Sequence, residues 1–290
     1  MSDADAPRDG IFWLASYPKS GNTWFRSFLT ALLHGGDAVD INALAANMAA
    51  SSRSWLDDVL AFDTADLRHD EIDTLRGRVY GWRDGPPALG YHKTHDAFRR
   101  SPGQISAFRG GRTLGALYLI RNPLDIAPSL AHHNGTSVDR AIADMADPHY
   151  ALCRPTRRLL PQVPQHMGSW SQHVSSWVDG EDCTCIVLRY EDMHADAPAT
   201  FAAAARFLGL TADDAAIARA VRATAFAALR DQERVRGFDE RPAGLSQFFR
   251  QGTSGAWRTQ LSEAQVQRIT SDHAAVMRRF AYIDDAGIPL

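Results

Sequence analysis

The sequence has few cysteines and no long apolar run. Only three of its 290 residues are cysteine, an odd number without zinc-type spacing, which argues against a disulfide framework and a structural zinc site. No apolar stretch approaches the roughly 20 residues that a membrane-spanning helix needs. The first ten residues are polar and acidic and lack the apolar centre of a secretory signal peptide. We therefore expect a cytoplasmic protein.

The chain also has no excess of charge of one sign. Its 31 basic and 34 acidic residues give a net charge of -3, which argues against a general binder of polyanions such as nucleic acid but not against a local anion pocket. A hydrophobic content of 45% is typical of a globular protein, and the sequence contains no repeat or clear linker. We expect a disordered tail over residues 1–10 and a single domain over residues 11–290.

Short apolar segments alternate with segments of helical periodicity. The predicted strands cover residues 11–16, 88–92, 114–120 and 183–188. The predicted helices cover residues 23–34, 123–133, 198–208, 212–229 and 262–280, with further pieces within 41–78 and 136–180. This alternation is typical of an α/β domain in which helices flank a central parallel sheet. Such sheets bind ligands beyond the carboxyl ends of their strands.

The most informative segment, SYPKSGNTW, spans residues 16–24 between a predicted strand and a predicted helix. The first N–H groups of a helix lack intrahelical partners and the helix dipole adds positive charge, so phosphate binds well there. Lys19 adds a full charge, and Ser20, Asn22 and Thr23 add side-chain donors. The standard P-loop pattern is absent, because Lys19 precedes the glycine. An ordinary turn between strand and helix is the alternative.

A second segment, RNPLDIAPS, follows the predicted strand over 114–120. The fork of donors on Arg121 and the hydroxyl of Ser129, two helical turns on, suit a dianionic phosphate. A salt bridge from Arg121 to Asp125 is the alternative.

A third segment, YHKTH, follows the predicted strand over 88–92. A histidine titrates near neutrality, so His95 can accept a proton from a hydroxyl nucleophile. Lys93 can neutralise charge on a transferred anionic group. A basic cluster on the surface is the alternative.

Two further segments come later in the chain. FFRQGTSGAW contains Arg250 as an anion receptor and Gly252, which lets the backbone approach a ligand closely. A flexible surface loop is the alternative for it. In RYEDM, Glu191 and Asp192 can simply favour the start of the next helix.

Together, these segments resemble the cytosolic-type sulfotransferase family. The motifs YPKSGNTW, KTH, RNPLDIAPS, RYEDM and FRQGTSGAW occur in that family's order, and the resemblance runs from Phe12 to Trp257. It implies an enzyme that uses 3′-phosphoadenosine 5′-phosphosulfate (PAPS) as donor, releases adenosine 3′,5′-bisphosphate (PAP) and requires no metal. We expect a P-loop-NTPase-like topology and a small-molecule acceptor with a hydroxyl group.

The resemblance also implies roles for individual residues. His95 matches the catalytic base, Lys93 matches the lysine that contacts the sulfuryl group, and Lys19 stabilises charge on the leaving phosphate. The residues implied to bind the 5′-phosphosulfate follow the first strand: Lys19, Ser20, Gly21, Asn22 and Thr23. Those implied to bind the adenine or the 3′-phosphate are spread along the chain: Trp24, Arg121, Ser129, Tyr190, Thr224, Phe226, Arg250 and Gly252.

Three features depart from the family pattern. Gln251 stands where a lysine is common beside Arg250, and Ala225 stands where a serine is common. The family's dimerisation segment is poorly matched over residues 258–267, so a monomer and a dimer are both open. Two other functions are open as well: a P-loop-like kinase that uses ATP and Mg²⁺, and a degenerate nucleotide-binding module without turnover.

The acceptor is shaped in this family by variable loops, which correspond here to residues 44–83 and 132–167. Both contain aromatic or apolar residues: Trp55, Phe62, Trp82, Tyr150 and Met167. They favour an apolar alcohol or phenol, with sugars and peptides left open. The histidines of the second loop lack the usual spacing of metal ligands and are interpreted as packing or surface residues.

Overall fold

The computed structural model describes residues 9–36, 38–46, 48–82, 86–98, 106–109, 112–154 and 159–290. Its strands are Gly10–Ser16 (β1), Leu89–Thr94 (β2), Thr113–Ile120 (β3), Ala151–Leu152 (β4), Gln165–His166 (β5) and Cys185–Arg189 (β6). Its helices are Asn22–Leu33 (α1), Arg53–Leu60 (α2), His69–Gly81 (α3), Pro123–Asn134 (α4), Val138–Ala146 (α5), Trp170–Val178 (α6), Tyr190–Ala195 (α7), Ala197–Phe207 (α8), Asp214–Ala223 (α9), Phe226–Arg236 (α10), Glu263–Asp272 (α11) and Ala274–Arg279 (α12).

Four parallel strands form the central sheet, in the order β2-β1-β3-β6. Ala15 near the end of β1 lies opposite Thr94 at the end of β2 and opposite Tyr118 of β3. The last residues of β3 pair in the same way with β6. The carboxyl ends of the strands therefore meet at one edge. The predicted α/β fold with a central parallel sheet is confirmed.

Apolar side chains cover both faces of this sheet. Successive residues of a strand point to opposite faces, so neighbouring residues of β1 enter different clusters. Trp13 is buried in a cluster with Trp177 of α6, and Leu14 is buried in a second cluster with Phe28 of α1 and Phe201 of α8. The helices are thus fixed against a rigid sheet whose one edge carries the predicted motifs.

Several predicted elements differ from the structure. The segment 212–229 forms two helices, α9 and α10, because Ala225 between them has an extended backbone with φ −55° and ψ 140°. The segment 262–280 is divided into α11 and α12 at His273, although Ser262 caps α11 as expected by accepting the N–H of Gln265. Within 136–180, the antiparallel pair of β4 and β5 separates α5 from α6. The last strand begins at Cys185, two residues later than expected.

The predicted tail falls mostly on residues 1–8, which lie outside the described residues, whereas Gly10 already belongs to β1. The single domain over 11–290 stays a prediction. Among the helices of the described ranges, none has the length and apolar character needed to cross a membrane.

A buried ion pair fixes the chain directly after β2. The guanidinium of Arg76 on α3 donates to both carboxylate oxygens of Asp96, at 2.6 and 3.2 Å, and both side chains are almost fully buried. Asp96 also accepts the backbone N–H of His166 at 3.0 Å. The residue next to His95 is therefore tied both to α3 and to β5.

We expect Arg76→Ala to destabilise the fold strongly, because the Asp96 carboxylate is left buried without its counter-ion. Breaking a buried ion pair in this way costs about 3–5 kcal/mol. Urea unfolding followed by circular dichroism measures the loss, and Arg78→Ala on the exposed side of the same helix is the control. Equal free energies of unfolding for the two variants would contradict the role assigned to this pair.

Candidate functional site

A cleft of about 680 Å³ opens at the carboxyl edge of the sheet. Most of the predicted site residues line it: Lys19, Gly21, Asn22, Thr23, Trp24, Lys93, His95, Arg121, Ser129, Tyr190, Phe226, Arg250 and Gly252. Ser20 belongs to the loop after β1 and is buried, and its Oγ has no hydrogen-bond partner among the described residues. Thr224 is also buried, and its hydroxyl donates to the carbonyl oxygen of Ala220 at 2.8 Å. The Thr224 hydroxyl thus points back to the last turn of α9, and its contact with a nucleotide stays a prediction.

The loop after β1 is held in a specific backbone conformation. Lys19 and Gly21 have positive φ angles of 70° and 94°. For a residue other than glycine, left-handed geometry costs roughly 1–2 kcal/mol. The Asn22 amide donates to the Leu14 carbonyl oxygen at 3.0 Å and to Ser16 Oγ at 3.2 Å, which ties the loop to β1. Gly21 caps α1 without a side-chain hydrogen bond. The first N–H groups of the helix therefore have no capping side chain and can donate to an anion.

Arg121 joins two loops of the cleft. Its guanidinium donates to the carbonyl oxygens of Lys19 and Thr253, each at 3.0 Å, while its Nε is buried without a partner among the described residues. The alternative salt bridge to Asp125 does not form, since that carboxylate accepts two backbone N–H groups of the segment 255–257. Arg121 therefore keeps donor capacity inside the cleft.

Two glycines allow aromatic rings to approach the loops closely. Gly252 has a φ of 59°, and a Cβ there would lie 2.2 Å from a ring carbon of Phe226. A Cβ on Gly21 would lie 2.7 Å from the ring of Tyr190. Both positions therefore require glycine if these rings are to line the cleft.

Positive charge is concentrated in the cleft. The cationic side chains that line it near the predicted motifs are Lys19, Lys93, Arg121 and Arg250. Burial, followed by the charges of the other three, lowers the pKa of Lys19 to about 8. The Lys19 ammonium lies 4.2 Å from the centre of the Phe248 ring. This arrangement suits a ligand with several negative charges.

His95 directly follows β2 and contributes one basic nitrogen. Its Nδ1 lies 2.8 Å from the carbonyl oxygen of Ser16. Because a carbonyl oxygen can only accept, Nδ1 carries the ring proton and Nε2 is left unprotonated. Burial, followed by the charge of Lys93, lowers the pKa of His95 to about 3, so the ring is neutral at neutral pH.

The motifs do not include His173, which holds the backbone of His95. Nε2–H of this buried side chain on α6 donates to the His95 carbonyl oxygen at 3.0 Å, and its Nδ1 accepts the hydroxyl of Tyr118 at 2.8 Å. The two histidines are 78 residues apart, so no local pattern indicates the contact.

The motifs also do not include Glu240, whose carboxylate binds Lys93. The Lys93 ammonium donates to one carboxylate oxygen at 2.9 Å, and Arg26 on α1 donates to the other at 2.7 Å. Glu240 follows α10, is 147 residues from Lys93 and lies in a segment without periodicity. Only the fold brings these three charges together.

Comparison with known proteins adds to this geometry. A family profile described as the sulfotransferase domain matches residues 111–281, more than half of the chain. The chain belongs to this family. This sulfotransferase is 24% identical over 271 residues to Sulfotransferase 2B1 of Mus musculus, which covers 91% of this chain and 70% of that protein. It is 22% identical over 275 residues to luciferin sulfotransferase of Photinus pyralis, and this match covers 88% of this chain and 68% of that protein.

Two solved structures have the same fold. Mouse sulfotransferase SULT7A1 complexed with PAP matches with a TM-score of 0.59 at 19% identity, covering 98% of this sulfotransferase and 88% of that chain. Retinol dehydratase in complex with androsterone and the inactive cofactor PAP matches with a TM-score of 0.58 at 18% identity. This match covers 92% of this sulfotransferase and 80% of that chain. The predicted family, P-loop-like fold and enzyme class, a sulfotransferase, are confirmed. The roles of individual residues stay predictions.

We expect the His95 ring of this sulfotransferase to stay neutral well below pH 6.5. Between the ordinary histidine value of 6.5 and the folded pKa of about 3, the unfolded chain binds a proton that the folded chain does not. Acidification across this window therefore lowers the free energy of unfolding. Nitrogen–proton correlation spectra measure both tautomer and titration, and His95→Asn assigns the signal. A ring protonated at Nε2, or one that titrates near 6.5, would contradict the geometry.

Proposed function

We propose that this sulfotransferase moves a sulfuryl group from PAPS to a hydroxyl group of a small acceptor, with His95 as general base. The observation that carries the proposal is the meeting of His95, Lys93 and Lys19 in one cleft, with Nε2 of His95 unprotonated. A positioned base and nearby cations are the groups that such a transfer needs. The PAP in the two similar structures supports the choice of donor.

The cleft fits a donor with two separated anionic ends. At one end, the loop 16–24 offers the uncapped start of α1 and the buried, unpartnered Oγ of Ser20. At the other end, the buried Nε of Arg121 lacks a partner within the described ranges, and Ser129 and Arg250 line the same cleft. We assign the 5′-phosphosulfate to the first end and the 3′-phosphate to the second.

An aromatic wall suits the adenine. Trp24, Tyr190 and Phe226 line the cleft, and the Trp24 ring meets the Tyr190 ring edge to face at 5.9 Å. Gln251, which replaces the common lysine, has its side-chain oxygen bonded by Gln260 at 3.0 Å. The bound donor supplies a sulfuryl group attached to a phosphate leaving group.

His95 takes the proton of the acceptor hydroxyl at Nε2 while Nδ1–H stays bonded to Ser16. A pKa of about 3, caused first by burial and then by the charge of Lys93, makes the ring a weak base. Because the charge of Lys93 contributes to this lowering, negative charge in the cleft raises the pKa of His95. Lys93 and Lys19 stabilise negative charge that develops during the transfer.

The wall of the cleft beside β2 is polar. Segment 49–52 runs along the end of β2, since the N–H of Ala50 donates to the Lys93 carbonyl oxygen at 2.8 Å. Gln162 pairs with this segment in an isolated bridge, and Gln165 donates to its side-chain oxygen at 3.0 Å. Both glutamines line the cleft, as does Ser51. The hydrogen bond to Gln165 uses only the side-chain oxygen of Gln162, so the amide nitrogen of Gln162 can donate to an acceptor that carries polar groups besides the reacting hydroxyl.

The aromatic and apolar residues from which an apolar acceptor was expected do not line the cleft. None of the following is among the described residues that line the cleft: Trp55, Phe62, Trp82, Tyr150 and Met167. Trp82 is exposed on the surface, and Met167 is completely buried in the core. We therefore propose a polar small molecule of the sugar or polyol type as acceptor.

A cytoplasmic location, a metal-independent reaction and the oligomeric state stay predictions of the sequence. Within the described ranges, no cluster of three or more His, Cys, Asp or Glu side chains has the geometry of a metal site. Transfer measured in excess EDTA tests the second of these predictions.

We expect His95→Ala to lower sulfuryl transfer by about 10²–10⁴-fold, the usual contribution of a general base, while binding of PAP is retained. Transfer of labelled sulfate from PAPS and calorimetric binding of PAP measure the two effects separately. His149→Ala, which changes an exposed histidine, is the control. Full activity of His95→Ala would contradict the role of His95 as general base. If the unchanged protein binds PAP but transfers no sulfuryl group, the alternative of a degenerate nucleotide-binding module is favoured.

We expect polyhydroxylated acceptors to be sulfated with higher kcat/KM than simple phenols. Gln162→Leu should reduce this preference by about ten-fold, the effect of losing one hydrogen bond of about 1.4 kcal/mol. Gln267→Leu, which replaces an exposed glutamine on α11, is the control. A preference for phenols in the unchanged protein, unaffected by Gln162→Leu, would contradict the polar acceptor.

A further inference from the structure

We propose that Glu240 is a positioning residue that holds the Lys93 ammonium at the reaction centre and is itself anchored by Arg26. This inference rests on the proposed function, since it assumes that Lys93 takes part in the transfer. It identifies a residue outside all of the motifs and explains how one cation of the cleft is kept in place.

The side chains of Arg26, Glu240 and Lys93 form a continuous row of ion pairs, called here the carboxylate row. Nζ of Lys93 lies 2.9 Å from Oε2 of Glu240, and a terminal nitrogen of Arg26 lies 2.7 Å from Oε1. Each carboxylate oxygen is bound by a different cation, so the carboxylate cannot turn without breaking one pair. Arg26 is completely buried in α1, and its Nε also donates to the Ala45 carbonyl oxygen at 3.3 Å. The row therefore has a fixed inner end.

The outer end of the carboxylate row opens on the cleft. The Glu240 side chain is 32% exposed, and it lines the cleft together with Lys93 and His95. An ion pair that served the fold alone could be replaced by apolar side chains without loss. A partly exposed carboxylate at the end of a buried arginine instead presents a charge to the group beside it, which is Lys93.

Charge balance indicates what Glu240 does for Lys93. The charged and titratable groups that face Lys93 come from several elements: Arg26, Lys19, His95, His133 and Glu240. Burial lowers the pKa of Lys93 and the charge of Arg26 lowers it further, whereas Glu240 raises it. Removing the carboxylate therefore lets Lys93 lose its proton at a lower pH.

Glu240 is unsuited to be the base itself. Burial raises the pKa of Glu240, but the charges of Lys93 and Arg26 outweigh burial and bring it to about 2. A carboxylate of this kind stays ionised at neutral pH, so it holds a cation and does not accept a proton from a hydroxyl group. The two roles are thus divided between Glu240 and His95.

The first test measures Lys93 directly and needs no turnover. Lysine side-chain resonances of the full chain are titrated by NMR, with Lys93→Arg assigning the signal. We expect Glu240→Gln to lower the Lys93 pKa by about one pH unit or more. Asp239→Asn removes the same charge from the neighbouring residue, which also lines the cleft, and should leave the Lys93 pKa nearly unchanged. Equal effects of the two variants, or no effect of Glu240→Gln, would overturn the proposal.

The second test follows transfer. We expect Glu240→Gln to lower kcat by about 10- to 100-fold, as misplacement of a reacting group does, and to move the alkaline limb of the pH profile to lower pH. Glu240→Asp should restore part of the activity. In the Lys93→Met background, Glu240→Gln should not lower kcat any further, because Glu240 acts through Lys93. A further loss of kcat of about 10- to 100-fold in the Lys93→Met background would overturn the positioning role. If the unchanged protein transfers no sulfate, the proposed function fails, while the Lys93 titration still decides whether the carboxylate row controls Lys93.

Discussion

Repulsion between cations that share one cleft is the constraint on which the rest of the site depends. Lys19, Lys93, Arg121 and Arg250 line a single cleft, and like charges repel more strongly where the dielectric constant is low. The structure offsets this repulsion in a different way for three of these groups. Two backbone carbonyl oxygens bind Arg121, a carboxylate binds Lys93, and the face of the Phe248 ring meets Lys19. Burial, followed by the charges of the other three cations, still lowers the pKa of Lys19, and negative charge placed beside Lys19 raises that pKa.

The architecture makes this concentration of charge possible. Parallel strands end at one edge, so residues after β1, β2, β3 and β6 reach the same place without long loops. Below that edge, apolar clusters on both faces and the buried Arg76–Asp96 pair leave the strand ends little freedom to move apart. Rigid elements thus hold side chains together that would separate in a flexible chain.

Sequence patterns predicted what depends on neighbours along the chain. The strand β1, the loop after it and the Ser262 cap follow from local chemistry, and all occur close to where the sequence places them. The break at Ala225 depends on a backbone turn that helical periodicity does not encode. The contact between Lys93 and Glu240 spans 147 residues and depends on how the segment after α10 packs over α1. No periodicity or motif reports such a contact, because it exists only in the folded chain.

The same electrostatics link base strength to the contents of the cleft. Burial, followed by the charge of Lys93, holds the pKa of His95 near 3, where a histidine is a poor proton acceptor. Negative charge near Lys93 acts in the opposite direction, so under the proposed function His95 gains basicity when the anionic donor is bound. Glu240 supplies a permanent share of that negative charge and contributes to raising the pKa of His95. Under the proposed function, a base whose strength depends on the donor deprotonates the acceptor when transfer can follow.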